Sequence, residues 1–210
     1  MRYYMIRIAL ALLLLLGIAI SSTWADPLHD AAKSGDVSAV EQFIDQGVDV
    51  NLKGRNDATP LIVAALEGQA PVAELLIAKG ADVQARNKGG LTPLHAAAYK
   101  GHTDVSELLI SGGADINNQQ NRFGITPLHA AAEENHLAVV KLLLDKGADV
   151  SLQEASGSYT PLSRAGYREH WDVVKTLMEH GAVCQPVEIV GDWLFKECTK
   201  RERALKGTAN

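Results

Sequence analysis

The sequence predicts an all-α solenoid of five helix-turn-helix repeats, with hairpin fingers between repeats and a C-terminal capping helix. Two regularities and one feature of composition predict it. A proline recurs at Pro27, Pro60, Pro93, Pro127 and Pro161, at intervals of 33, 33, 34 and 34 residues, each time followed by leucine or by leucine and histidine. Nine residues after each proline a second motif opens, at Asp36, Gln69, His102, His136 and His170, and eleven residues later a glycine closes the unit, at Gly47, Gly80, Gly113, Gly147 and Gly181. A fixed period of this length means stacked two-helix units in place of a single wound core. Aromatic residues make up only 5% of the 210, which suits small alanine- and leucine-packed helices better than a large β core.

Residues 1–25 stand apart from the repeats and read as a signal peptide. Arg2 and Arg7 give a positive start, Ile8 to Ile20 is an apolar run of 13 residues, and Ser21 to Ala25 ends in small residues suited to cleavage between Ala25 and Asp26. An uncleaved anchor is the rival reading, but a membrane span needs about 20 apolar residues. No cysteine near the site offers a lipid attachment point. The expectation is therefore a periplasmic or secreted protein with no stable membrane anchor after cleavage. The short leader and small mature chain favour a bacterial periplasm, and a eukaryotic secretory origin stays open.

The formal charge of −5 comes from 20 basic and 25 acidic residues. Losing Arg2 and Arg7 leaves 18 basic residues and a charge of −7, a poor basis for nucleic-acid binding that depends on phosphate neutralisation.

The repeats fall at about 26–58, 59–91, 92–125, 126–159 and 160–183. The third shows the physics. Asn87-Lys88-Gly89-Gly90 is a turn signal, its glycines able to take the positive φ of a tight hairpin. Thr92 caps a helix whose first position is Pro93, where a missing N–H costs nothing. Leu94, Ala97 and Ala98 give that helix a narrow apolar face, and the alanines allow close approach of the next repeat. Gly101 stops it. His102-Thr103-Asp104 opens a second helix whose Val105, Leu108, Leu109 and Ile110 form a broader stripe, ended by Gly112-Gly113. Helices this short are marginal alone, so each repeat depends on its neighbours.

At these residues the chain resembles the ankyrin-repeat family, in the form of a secreted or periplasmic bacterial member. The family's Gly-x-Thr-Pro-Leu-His-x-Ala-Ala, then Gly-His, Val-Val-x-Leu-Leu-Leu and Gly-Ala-Asp-Val-Asn, is met nearly in full by Gly124 to Val150 and well by Gly90 to Asn117. The resemblance covers about residues 26–183. Its departures carry expectations of their own. Asp30 in the first unit and Arg164 in the fifth replace the Val63, Ala96 and Ala130 of the middle units, as suits terminal repeats whose outer faces meet water. Asp26 and Ser163 are the other terminal substitutions. Ile62 and Asp57 replace the histidine and turn glycine of the second unit, so its hairpin is expected to differ from the others. Glycine to threonine spans 13 residues from Gly113 and from Gly147 instead of 12, so those fingers should be longer or bulged.

The remaining residues, 184–210, form a cap and tail. Ile189, Val190, Trp193, Leu194 and Cys198 fall on one helical side, predicting a helix across the open end of the stack. Cys184 and Cys198 suggest one disulfide in an exported chain; two buried free thiols are the alternative, and redox chemistry is weaker because the spacing is not Cys-x-x-Cys. Lys200 to Arg203 reads as a solvated helix end.

No catalytic constellation is visible: there is no Gly-x-Ser-x-Gly, phosphate loop or His-Glu-x-x-His, and no cysteine stands beside a histidine within the repeats. Six of the seven histidines fall in two sets spaced by whole repeats, His29, His95 and His129 in the proline motif and His102, His136 and His170 at the start of the second helix. Packed helices lie roughly 8–10 Å apart, whereas zinc ligands must all sit about 2 Å from the ion. No metal or cofactor is expected, and the resemblance assigns the histidines hydrogen bonds that tie turns and helix ends.

The resemblance also implies a concave face made of the fingers and the exposed ends of the first helices, where partners bind. Carried over by position, it names Lys53, Arg55, Asn56, Leu66 and Glu67, then Arg86, Lys88, Tyr99 and Lys100. Gln120, Arg122, Phe123, Glu133 and Glu134 follow from the fourth unit, and Glu154, Tyr159, Tyr167 and Arg168 from the fifth. Phe123 sits in a turn that needs no aromatic ring, and Tyr99 and Tyr167 hold the same helix position two repeats apart. Aromatic rings and arginine dominate binding hot spots. Lys53, Arg55, Arg86, Lys88 and Arg122 would form a basic rim suited to an acidic partner surface. The functional expectation is a monomeric, non-catalytic module that binds another protein. The alternative is an immunity-type inhibitor of a periplasmic toxin, or a protector of an exported stress enzyme.

Overall fold

The computed structural model describes residues 25–207. Both the apolar segment read as a leader and the last three residues lie outside the described residues, as do the side chains of Ala25 and Asp26. Among the described residues, ten of the eleven α-helices come in pairs: α1 (Ala25–Ser34) with α2 (Val37–Asp45), α3 (Pro60–Glu67) with α4 (Ala70–Ala78), α5 (Pro93–Lys100) with α6 (Thr103–Ser111), α7 (Pro127–Glu133) with α8 (Leu137–Asp145), and α9 (Pro161–Tyr167) with α10 (Trp171–Glu179). α11 (Val187–Gly207) follows as the cap. Among the described residues there is no strand, and no helix is long and apolar enough to cross a membrane.

Each first helix starts for the reason its sequence states. Thr59, Thr92, Thr126 and Thr160 sit in extended backbone at the N-cap, and each hydroxyl accepts from the N–H three residues on, at 3.3–3.5 Å. Proline follows at the first helical position. After the first helix the backbone must turn through the left-handed region. Gly35, Gly68 and Gly101 do so, while Asn135 and Glu169 take φ of 62° and 61° in the last two repeats. Gly68 has a second reason to lack a side chain, since a Cβ there would meet the His102 ring at 2.6 Å.

First helices stack on first helices and second on second, so the leucine after each proline forms a column. Leu28, Leu61, Leu94, Leu128 and Leu162 are almost wholly buried, and Leu76, Leu109, Leu143 and Leu177 form a second column in the outer helices. Alanines such as Ala64, Ala97, Ala131 and Ala165 are fully buried between layers, where their small size sets the close spacing. A buried leucine contributes about 1.5–3 kcal/mol of transfer free energy, and here that contribution is split across two repeats.

The fingers are held by backbone bonds along the stack. Lys88 N–H donates to Asn56 O at 2.7 Å, Arg122 N–H to Gly89 O at 3.1 Å and Ala155 N–H to Phe123 O at 3.0 Å. The extra residue in the last two fingers sits in different places. Asn121 and Ile125 are spaced like Asn87 and Leu91, so the fourth finger is longer before Asn121, where Asn121 N–H turns back to Gln119 O. In the fifth the pairing is Glu154 with Tyr159, so the added residue is in the tip, with Ser158 at φ 56°. In the second finger Asn56 and Asp57 both take φ of 57° in the short 3₁₀ turn Arg55–Asp57, Asp57 thus doing what a turn glycine does elsewhere.

Two expectations about the ends need correction. Asp30 is exposed as expected, but Arg164 is only partly exposed, its guanidinium held by the buried Glu154. The cap residues do not share one continuous helical side either. Gly191 (φ 73°, ψ 163°) breaks α11, so Val190, Leu194 and Cys198 are buried while Trp193 is 51% exposed. Trp193 lies 6.2 Å from Trp171, and the guanidinium of Arg201 sits 3.9 Å from the Trp171 ring, so the basic run is not wholly solvated. The Cys184 and Cys198 sulfurs are at disulfide distance, with Cα atoms 5.8 Å apart.

Candidate protein-binding face

The histidines fix where the candidate surface lies. Nε2 of His29, His95 and His129 donates to the carbonyl before the next repeat's threonine, at Ala58, Ile125 and Tyr159, over 2.8–3.0 Å. At His95 and His129 the other nitrogen, Nδ1, accepts from the N–H of its own repeat's threonine, Thr92 or Thr126, and lies 2.8 Å from that hydroxyl. That pattern requires the neutral ring with its proton on Nε2. Burial agrees, pushing His95 down from the usual range and His129 down to about 4. Rings engaged at both nitrogens have no lone pair to offer a metal. Among the described residues no group of three or more His, Cys, Asp or Glu is gathered as for a metal ion.

The second set ties backward. Nε2 of His102, His136 and His170 donates to the carbonyls of Leu66, Tyr99 and Glu133, at 2.9–3.2 Å, and Gln69 does the same to Lys33. Those acceptors hold one repeat position, the sixth after the proline, shared by Tyr167. Tied at the backbone, this position presents its side chains at a fixed spacing. Leu66, Tyr99 and Tyr167 are 37%, 47% and 44% exposed.

The structure divides the sequence-predicted residues into three groups. Lys53, Arg55, Arg86 and Lys88 are exposed on the second and third fingers, and the ion pairs among the described residues use none of them. Tyr99 with Lys100 and Phe123 with Arg122 form two cation–aromatic pairs, at 5.4 and 5.5 Å, with Phe123 46% exposed. Glu133, Tyr159, Tyr167 and Arg168 are drawn together in a knot. Arg168 holds Glu133 at 2.9 Å, Arg164 approaches the same carboxylate at 3.5 Å, and the Tyr159 and Tyr167 rings meet edge to face at 5.3 Å. Glu134 beside them is exposed.

Three residues behave differently from their expected roles. Glu154 was expected on the partner-facing surface, but its side chain is 1% exposed and bonded to Arg164, because a buried carboxylate requires a paired cation. Tyr167 is not a free equivalent of Tyr99: its hydroxyl donates to Val190 O at 2.9 Å and anchors the cap, and burial with the Tyr159 bond raises its pKa. Glu133 does not stand open to a partner beside Glu134, since two arginines engage it.

Sequence reasoning missed Gln185. Ser163 is too short to make the cross-repeat tie that histidine makes, and Gln185 reaches back to supply it. Its carbonyl accepts from Ser163 Oγ and from Thr160 N–H at 3.1 Å, and its amide donates to Ser158 O at 2.6 Å. The available signal was Ser163 itself, a missing tie that something after the fifth repeat had to replace.

Pairs of short helices, threonine-proline starts, projecting fingers and histidine ties define a stacked repeat protein. The family profile described as ankyrin repeats (three copies) matches residues 28–120 and 113–187, and the chain belongs to the ankyrin-repeat family. Ankyrin repeats are generally protein–protein interaction modules and typically non-catalytic. The comparison with curated proteins finds no match.

Proposed function

We propose that this chain is a non-catalytic binding module that grips a partner protein with its fingers and first-helix ends. The observation that carries the reading is the exposure of Leu66, Tyr99 and Phe123 on backbone that neighbouring repeats hold rigid. Large apolar side chains fixed in place lose little conformational freedom on binding, which is what makes a hot spot. Arg122 and Lys100 over the rings keep these patches soluble until a partner covers them. The partner is a protein, and the binding chain is a monomer acting in a periplasm or outside the cell. Inhibition or protection of an exported enzyme is compatible with the same face and differs only in the partner's identity.

The test is affinity capture from the native envelope fraction with the wild-type chain and with Tyr99→Ala/Phe123→Ala, the captured protein being identified by mass spectrometry. The double variant should keep its helical circular dichroism and lose the protein that wild type enriches. Equal capture by both would remove these residues from the binding face.

A further inference from the structure

The cations on the fingers are not scattered. Arg55, Lys88 and Arg122 each stand five residues before their repeat's proline, so three consecutive fingers carry a positive charge at one register position. Lys53 and Arg86 hold a second common position, seven before the proline. Gln120 ends the second file in the fourth finger, and Ser156 ends the first in the fifth, where Glu154 holds the other position.

The backbone fixes this register. Lys88 and Arg122 are themselves the donors that bond their fingers to Asn56 and Gly89 of the fingers before. The arms of a finger also bond to one another, at Gly54 with Ala58 and at Asn87 with Leu91. Two ladder steps of about 4.8 Å therefore separate equivalent positions, a spacing of roughly 10 Å between successive cations, which matches the 8–10 Å spacing of packed helices.

All five side chains are exposed, and no carboxylate among the described residues pairs with them. Asp57 beside Arg55 is the acid that weakens the file. Asp82 and Asp115 at the finger bases are occupied in their own turns, accepting from Gln84 N–H at 2.8 Å and Asn117 N–H at 3.1 Å. Glu41, Glu74 and Glu107 recur at one position of the outer helices and are exposed, with Lys79 and Lys146 pairing with Glu41 and Glu107 at 3.5 and 4.0 Å, so cations dominate the finger positions of a chain whose net charge is negative. A polyanion met end-on would be repelled by the body, while an acidic segment laid along the fingers is not.

We propose that the finger tips bind an acidic, polyproline-II-like segment of the partner protein whose carboxylates recur at every third residue and sit one per finger on Arg55, Lys88 and Arg122. Such a chain rises about 3.1 Å per residue with three residues per turn, so every third side chain points the same way at steps of about 9 Å. A β-strand does not fit, because its side chains alternate and every third one changes face. An α-helix returns to one face with a comparable advance, about 10.5 Å, only at every seventh residue, so it needs more than twice the length of chain to deliver one carboxylate per finger. The phenyl ring of Phe123, next in line after Arg122, offers the apolar face on which proline-rich segments pack. This inference rests on the binding-face reading above and adds the chemistry of what is bound.

Two labelled peptides of about twelve residues and identical Glu, Pro and Ser content test it, one with Glu at every third position and one with the glutamates consecutive. Fluorescence anisotropy against the purified chain, as its host accumulates it, should show the spaced peptide binding about tenfold more tightly, the worth of three exposed ion pairs in register. Arg55→Ala/Lys88→Ala/Arg122→Ala should erase the preference with unchanged circular dichroism. The triple Glu variant should instead prefer a peptide with Lys at every third position. Equal affinity for the two acidic peptides, no binding of the spaced one at low salt, or tighter binding of a heparin fragment or single-stranded DNA of the same charge would overturn it. Loss of the spacing preference while capture still depends on Tyr99 and Phe123 removes this inference alone; loss of that dependence removes the reading beneath it.

Discussion

Acid should loosen this solenoid through His129. The ring is 1% exposed, donates from Nε2 to Tyr159 O at 3.0 Å and accepts at Nδ1 from Thr126. A second proton on Nδ1 would face the Thr126 N–H that this nitrogen accepts, and burial holds the folded pKa at about 4 against about 6.5 in the unfolded chain. Between those values the unfolded chain takes up more protons, so the stabilisation is complete above about pH 6.5 and is lost as pH falls toward 4. The whole difference is about 3 kcal/mol, of which about 2 kcal/mol disappears between pH 7 and pH 4.5. The assay is urea unfolding followed by helical circular dichroism at both pH values, for wild type and for His129→Ser, the residue found at the same position in the fifth repeat. Carboxylate titration contributes to both proteins, so the difference between their acid losses isolates the ring. The variant should be less stable at pH 7 and lose about 2 kcal/mol less on acidification. An equal acid loss in both would refute the reasoning.

Arg164→Ala strands the buried Glu154 carboxylate and should cost about 3 kcal/mol in urea unfolding at pH 7, with Glu154→Gln in the same chain restoring part of it. No recovery would mean that packing of Arg164 on Tyr159, and not charge, is what matters. Reducing Cys184 and Cys198, 14 residues apart, should remove up to about 3 kcal/mol from the cap alone. Amide exchange should then quicken in α11 and stay slow in α3 to α8, since repeats couple mainly to neighbours. Uniform quickening would show the cap to be essential to the whole stack.

The fold was legible because one physical problem is solved five times in the same letters. Leu94 and Leu128 are buried for the same reason, and Thr92 and Thr126 cap in the same geometry. Legibility fails where the period stops. Glu154 looks like a finger residue until Arg164, ten positions later, is seen to need it. Gln185 lies beyond the last repeat and completes a tie begun at Ser163. Gly191 breaks the helical geometry of the cap, which no count of helical spacing reveals, and Trp193 beyond it stays exposed. On the candidate surface the register of Arg55, Lys88 and Arg122 was readable from the prolines, whereas the engagement of Glu133 depends on two arginines brought in by the next repeat.

The central claim is that the fingers and first-helix ends, and not the outer helices, meet the partner. Hydrogen–deuterium exchange of the chain alone and with its captured partner tests it most directly. Slowed exchange at residues 53–58, 86–91, 99–101 and 120–125, with α4, α6 and α8 unchanged, is the predicted result. Protection centred on the outer helices, with the fingers unaffected, would contradict it.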